Sequence, residues 1–186
     1  IHLVTALLVF CSIAISLGAE PSEYILSNGM KVLLVEVPKA PVATVQVWYK
    51  VGSRNEVMGR AGLSHMLEHM MFKGTARYPK GSFSRIVRKN GGIDNAFTGQ
   101  DFTAYFENVA ADRVGLALEL EADRMQGLLL DHSEFQTERD VVKEERRLRS
   151  EDDPQGALVE ALFAQAFLSH PYHWPVIGWF ADLDAM

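Results

Sequence analysis

The five residues His65-Met66-Leu67-Glu68-His69 constrain this chain more than any other stretch. In a helix, residues four apart lie on one face, about one turn from each other. His65 and His69 would then present two imidazoles side by side, an arrangement that can share one zinc ion. Glu68 stands three residues after the first histidine and beside the second, close enough to act on a water at that ion. The order is inverted relative to the commoner H-E-x-x-H helix. The same five residues would also suit a buried histidine pair, or a Glu–His pair on a helix surface.

Zinc takes a third protein ligand and, in a catalytic site, leaves the fourth position to water. The segment Thr137-Glu138-Arg139-Asp140-Val141-Val142-Lys143-Glu144-Glu145-Arg146-Arg147-Leu148 offers candidates. Val141, Glu145 and Leu148 follow an i, i+4, i+7 spacing, which predicts Glu145 within an inward apolar stripe. Glu144 falls instead with Thr137, Asp140, Arg147 and Glu151 on a polar face. A carboxylate among apolar residues is costly unless a cation or metal pairs with it. Glu138 shares the face of Glu145 two turns earlier and would support the ligands from behind. A solvated, salt-bridged helix accounts for the same charges equally well.

With these residues in place, the chain resembles the pitrilysin/insulinase metallopeptidases, which include mitochondrial processing peptidase and secreted bacterial members. Their inverted zincin motif H-x-x-E-H is followed after roughly 76 residues by a glutamate ligand, with another glutamate seven residues before it. Glu145 follows His69 by 76 positions and Glu138 precedes Glu145 by seven, which selects Glu145 over Glu144. Gly62-Leu63-Ser64, Phe72-Lys73-Gly74-Thr75, Asn90 to Thr98, His170-Pro171-Tyr172 and Ile177-Gly178 also match, so the resemblance runs from about Tyr24 to the end.

The resemblance implies one Zn2+ per chain on His65, His69 and Glu145, with Glu68 as general base to a zinc-activated water and Glu138 behind the ligands. It implies an extended or unfolded peptide substrate held along Asn95, Ala96 and Phe97 by β-augmentation. Taken without the resemblance, that strand reads as an ordinary core strand after a Gly-Gly turn. His132, His170 and His173 lack ligand spacing to the motif and are expected in loops or caps. Family members are longer, so a C-terminal domain or a homologous partner subunit is expected to close over the substrate, with this chain as an N-terminal piece.

Net charge is −6, with 48% hydrophobic and 23% charged residues, which suits one well-packed core and gives no reason to expect nucleic acid. Residues 1–19 are different. They contain no Lys, Arg, Asp or Glu, and carry the apolar runs Leu3–Phe10 and Ile13–Leu17. This reads as a secretory signal with small residues at Ser16-Leu17-Gly18-Ala19 for cleavage, and hence a secreted or periplasmic protein. A membrane anchor is the competing reading, because ~20 apolar residues can span a bilayer. The chain begins with Ile and has no basic n-region, so its true start is expected upstream. Cys11 lies inside this leader, and the remaining domain, residues 22–186, would form no disulfide and no Cys-ligated metal site.

Periodicity predicts an α+β domain, a largely antiparallel sheet with helices packed on one face. Strands are expected at Tyr24–Leu26 and Lys31–Val37 around a type I′ turn at Asn28-Gly29. Further strands are expected at Val42–Val51, Ile93–Thr98 and Phe102–Val109. Helices are expected from about Ala61 to Gly74, at Ser82–Lys89, and from Arg113 to Gln126. Another would start at Ser133 with Gln136 completing a capping box, and one more at Pro154 with Asp153 as cap.

Two other function classes fit the sequence. A zinc-binding, non-proteolytic assembly subunit is one, although a scaffold has no need of both Glu68 and Glu145. A membrane-tethered binding module is the other, and it requires an uncleaved leader; membrane contact is expected only in that case.

Overall fold

The computed structural model describes residues 20–186. The leader, with its cleavage and anchor alternatives, lies outside the described residues. No helix among the described residues is long and apolar enough to cross a membrane. Contacts divide the chain into a unit ending at Ala40 and a second unit from Pro41 to Met186.

In the first unit, β1 (Ser22–Ile25) and β2 (Lys31–Leu34) form an antiparallel hairpin with Ile25 opposite Lys31. Its turn differs from the expected type I′, which needs a left-handed backbone at both central residues. Gly29 has φ 84°, while among the described residues none other than glycine has positive φ. Leu26 N donates to Met30 O and Gly29 N to Leu26 O, each at 2.9 Å. That is a three-residue loop closed by a glycine bulge. Asn28 contributes through its side chain, whose Oδ1 accepts from Met30 N at 3.0 Å. β2 stops at Leu34, short of the expected Val37.

The second unit begins with β3 (Val42–Tyr49), α1 (Leu63–Met70) and α2 (Ser82–Lys89). The hairpin β4 (Ile93–Thr98) and β5 (Thr103–Ala110) follows. Four more helices complete it: α3 (Val114–Gly127), α4 (His132–Arg146), α5 (Pro154–Ala166) and α6 (Phe180–Asp184). The sheet order is β3-β5-β4, antiparallel throughout, with Val47 opposite Tyr105 and Tyr105 opposite Ala96. Side chains alternate across a strand, so Val45, Val47 and Tyr49 share an inner face with Tyr105, Glu107, Val109, Ala96 and Thr98. Trp48, Phe97, Phe102 and Phe106 pack against one another on the other side. The architecture is the expected α+β arrangement.

Two apolar clusters hold the helices. Met66 and Met70 of α1 meet Val142 of α4, Ile177 and Leu183 of α6. Phe83 and Val87 of α2 meet Val109 of β5 and Ala117 and Leu120 of α3. Each fully buried side chain of this size stabilises by about 1.5–3 kcal/mol.

Helix boundaries correct several expectations. α1 starts at Leu63 after Gly62 (φ 94°) and ends at Met70, before Gly74 (φ 101°), with Met71 as cap. Its first amides are satisfied from a distance: Gly62 N and Ser64 N donate to the two oxygens of Glu56, each at 2.6 Å. An anion there also complements the helix dipole. α4 is capped by Asp131, not Ser133; its Oδ1 accepts from Ser133 N at 2.9 Å and Glu134 N at 3.0 Å. Asp153 caps α5 as expected, accepting from Gln155 N and Gly156 N. The inward stripe of α4 is also shifted by one residue. Glu138, Val142 and Arg146 are buried, whereas Val141 and Leu148 are 48% and 61% exposed. Each residue turns a helix by 100°, so Val142 rather than its neighbour faces α1.

Candidate metal centre

Helix α1 sets the site because it is held at its start and along its buried face. Gly62 lies against the loop at Gly178 so closely that a Cβ on Gly178 would come within 2.3 Å of Ala61 O. Both glycines have positive φ, which other residues adopt at a cost. This contact ties the start of α1 to residues 175–178. With Met66 and Met70 buried beneath, His65, Glu68 and His69 occupy the side of α1 that faces α4 and β4.

α4 brings the third candidate. Glu145 Oε2 lies 3.2 Å from His69 Nε2 and 3.7 Å from His65 Nε2. The three donors lie within 4.8 Å of one another. A tetrahedral zinc with bonds of ~2.0–2.2 Å would separate its ligand atoms by about 3.4 Å, so two imidazoles and a carboxylate fit the ion in number, type and spacing. Glu145 reaches this point from the edge of the buried row rather than from within an apolar stripe. Glu144 is 59% exposed and pairs with Arg147 at 2.8 Å, outside the site.

Glu138 stands behind His69, with its Oε1 2.9 Å from Nδ1. Its other oxygen pairs with Lys73, a residue that sequence reasoning gave no role. A carboxylate on Nδ1 fixes the tautomer and leaves Nε2 free for a metal. The two histidines titrate in opposite directions. Burial, then the charge of His69, pushes His65 down to about 4, so it is neutral. Burial also lowers His69, but hydrogen bonds to Glu145 and Glu138 outweigh it and leave its pKa raised. The bond from His69 pulls Glu145 below its usual value against the effect of burial.

Glu68 is hydrogen-bonded by Thr98 Oγ1 from β4. Burial raises its pKa despite that bond. Thr98 had no assigned role in the sequence; its place is legible as the inward neighbour of Ala96 on an alternating strand.

A cleft of about 580 Å³ opens on these groups. Asn95, Ala96, Phe97 and Thr98 of β4 line one side, and Val159 and Phe163 of α5 with residues 173–177 line the other. β4 is an outer strand of its sheet, so one of its edges has no strand partner there. Tyr172 holds the two walls together by donating to Asp101 Oδ2 at 2.7 Å in the β4–β5 turn. Among the described residues the other histidines stay out of the ligand set: His132 opens α4 and His170 caps a short turn. His173 lies in that turn as expected, yet also lines the cleft.

The family described as insulinase (peptidase family M16) matches residues 31–178. A zinc protease of Helicobacter pylori named PqqE is 45% identical over 160 residues, covering 86% of this chain and 36% of that protein. A protein of Mycobacterium leprae, named as an uncharacterized zinc protease, is 37% identical over 87% of this chain and 36% of its own length. The crystal structure of a protease from Helicobacter pylori superposes with a TM-score of 0.87 at 43% identity, covering 90% of this chain and 41% of that one. The chain thus spans little more than a third of the curated relatives it matches.

Proposed function

The chain belongs to the insulinase family of peptidases, family M16, and from that premise we propose that it carries the zinc centre of a metalloendopeptidase acting on extended or unfolded peptides. The observation that carries the reading is the placement of Glu68, a partly buried carboxylate facing the cleft beside both histidines. Zinc bound by His65, His69 and Glu145 would supply activation of water and polarisation of the scissile carbonyl.

The chain's own residues account for the remaining work. Glu68 would take the water proton and return it to the leaving amine, and a raised pKa suits a group that must do both near neutral pH. Thr98 engages Oε2 of Glu68 and so orients the carboxylate. Glu138 and Lys73 hold His69 in the tautomer that points Nε2 at the site. The unpartnered edge of β4 would take the peptide as an added strand along Asn95, Ala96 and Phe97, which aligns a scissile bond beside α1. A cleaved leader would place the protein in a secreted or periplasmic setting, which mass spectrometry of the mature N-terminus would test.

Glu68→Gln in the full-length protein is the direct experiment. Gln keeps the shape and both histidines but cannot accept the proton. Zinc content should stay at the parent level while turnover of a quenched peptide falls by about 10²–10⁴-fold. Substantial residual turnover removes Glu68 from its role. A parent protein that binds zinc but never cleaves peptides favours the non-proteolytic assembly subunit instead.

A further inference from the structure

We propose that Arg149 is a positioning residue that restricts Glu145 to binding the metal through one oxygen, an inference that rests on the zinc reading above. The two oxygens of Glu145 have different partners. Oε2 faces the Nε2 atoms of His69 and His65 at 3.2 Å and 3.7 Å, while Oε1 is ion-paired with Arg149, whose Nη1 lies 2.9 Å away. Arg149 therefore does for Glu145 what Glu138 does for His69.

The backbone behind Arg149 is firmly built. Residues Arg147–Glu151 form a π turn at the end of α4, closed by Asp152 N donating to Arg147 O at 2.8 Å. α5 packs on it through Gly156, where a Cβ would lie 1.9 Å from Arg149 O. Only glycine admits that approach. This π turn leaves Arg149 lining the cleft.

Stability does not explain the contact. The Arg149 side chain is 71% exposed, and an i,i+4 pair with so exposed a partner contributes little to stability. Its use is geometric. A carboxylate with both oxygens free can chelate, and zinc accepts a fifth ligand. Chelation by Glu145 would crowd the position that water or the substrate carbonyl needs. A guanidinium on Oε1 prevents this, and its positive charge gives no help to metal capture.

The experiment uses the full-length protein and its Arg149→Met and Arg149→Lys variants. Zinc affinity is measured by chelator competition, coordination by the visible spectrum of the cobalt(II)-substituted protein, and kcat and KM with a quenched peptide. Arg149→Met should bind zinc as tightly as the parent or more tightly. Its cobalt band should weaken towards the five-coordinate form, and kcat should drop about tenfold with little change in KM. Arg149→Lys, which still offers a donor, should move back towards the parent spectrum. An unchanged cobalt spectrum in Arg149→Met overturns the proposal, and so does a loss of zinc affinity, which would mark a merely structural role. If the spectra shift as expected but the parent cleaves nothing, the positioning of Glu145 stands and the peptidase reading falls.

Discussion

Glu144 and Glu145 are chemically identical neighbours that point into opposite surroundings. Glu145 faces two imidazoles and holds its proton less tightly than usual, because His69 hydrogen-bonds to it. Glu144 is 59% exposed and pairs with Arg147. We predict that Glu145→Gln weakens zinc binding by at least ~10–100-fold, while Glu144→Gln binds like the parent. Zinc titrations of both variants decide it; the reverse order would overturn the ligand assignment. The spacing from His69 points to the glutamate that lies 3.2 Å from His69 Nε2, whereas the apolar-stripe argument reached the same residue through Val141 and Leu148, which are exposed. The 76-residue spacing comes from the family resemblance and does not depend on which face of α4 is apolar. A stripe judged from apolar residues alone cannot see that Glu138 and Arg146 occupy buried positions, and they do so because Lys73 and Glu160 pair with them. Strand alternation puts Thr98 on the inner face but does not name its partner, and the contact of Lys73 with Glu138 leaves no mark in local sequence.

At the scale of elements, β5 and α3 are joined by a buried charge cluster rather than by apolar contact alone. Arg124 of α3 bonds both Glu121 and Glu107 of β5, under the rings of Phe83 at 4.4 Å and Tyr105 at 4.3 Å. One guanidinium cannot neutralise two buried carboxylates. Burial, then the hydrogen bond with Glu121, pushes Glu107 up to about 9. The folded state therefore holds a proton that the unfolded chain has lost above its ordinary carboxylate pKa. This contribution to stability is full below about pH 4.3 and is lost as pH rises through the folded value. Glu107→Gln keeps the shape and hydrogen bonds without titrating. In metal-free protein the parent should lose stability between pH 5 and 8, and the variant should lose less, ending more stable than the parent at pH 8. Urea midpoints across that range test it, and parallel profiles would refute it. Sequence alone would read Glu121 and Arg124 as a surface i,i+3 pair, and only the inward register of Glu107 reveals otherwise. Elsewhere, elements were legible where glycines or prolines bound them: Gly81 and Gly91-Gly92 frame α2, and Pro154 opens α5. They were misread where a side chain reached across, as Asp131 does in capping α4 ahead of Ser133.

For the molecule as a whole, metal capture and peptide hydrolysis make different demands. All three candidate ligands and Glu68 lie within Pro41–Met186, so binding zinc requires only that this unit fold. Hydrolysis also requires the peptide to be held in register and water to be excluded from the reacting groups. The cleft wall opposite β4 is incompletely covered: along α5, Val159, Leu158 and Leu162 are 47%, 67% and 59% exposed. The family resemblance implies a further domain or a homologous subunit facing this wall, and the relatives have the length to supply one. We therefore predict that residues 20–186 bind one zinc per chain yet cleave an unfolded peptide far more slowly than the complete protein. The slower rate should lie in both KM and kcat, since an open cleft neither holds the strand nor dries the site. The comparison needs purified fragment, a metal analysis, and kcat/KM for both proteins on the same quenched peptide. A fragment that matches the complete protein would show that β4 and α1 suffice for catalysis and would sink the expectation of a facing body that closes the site.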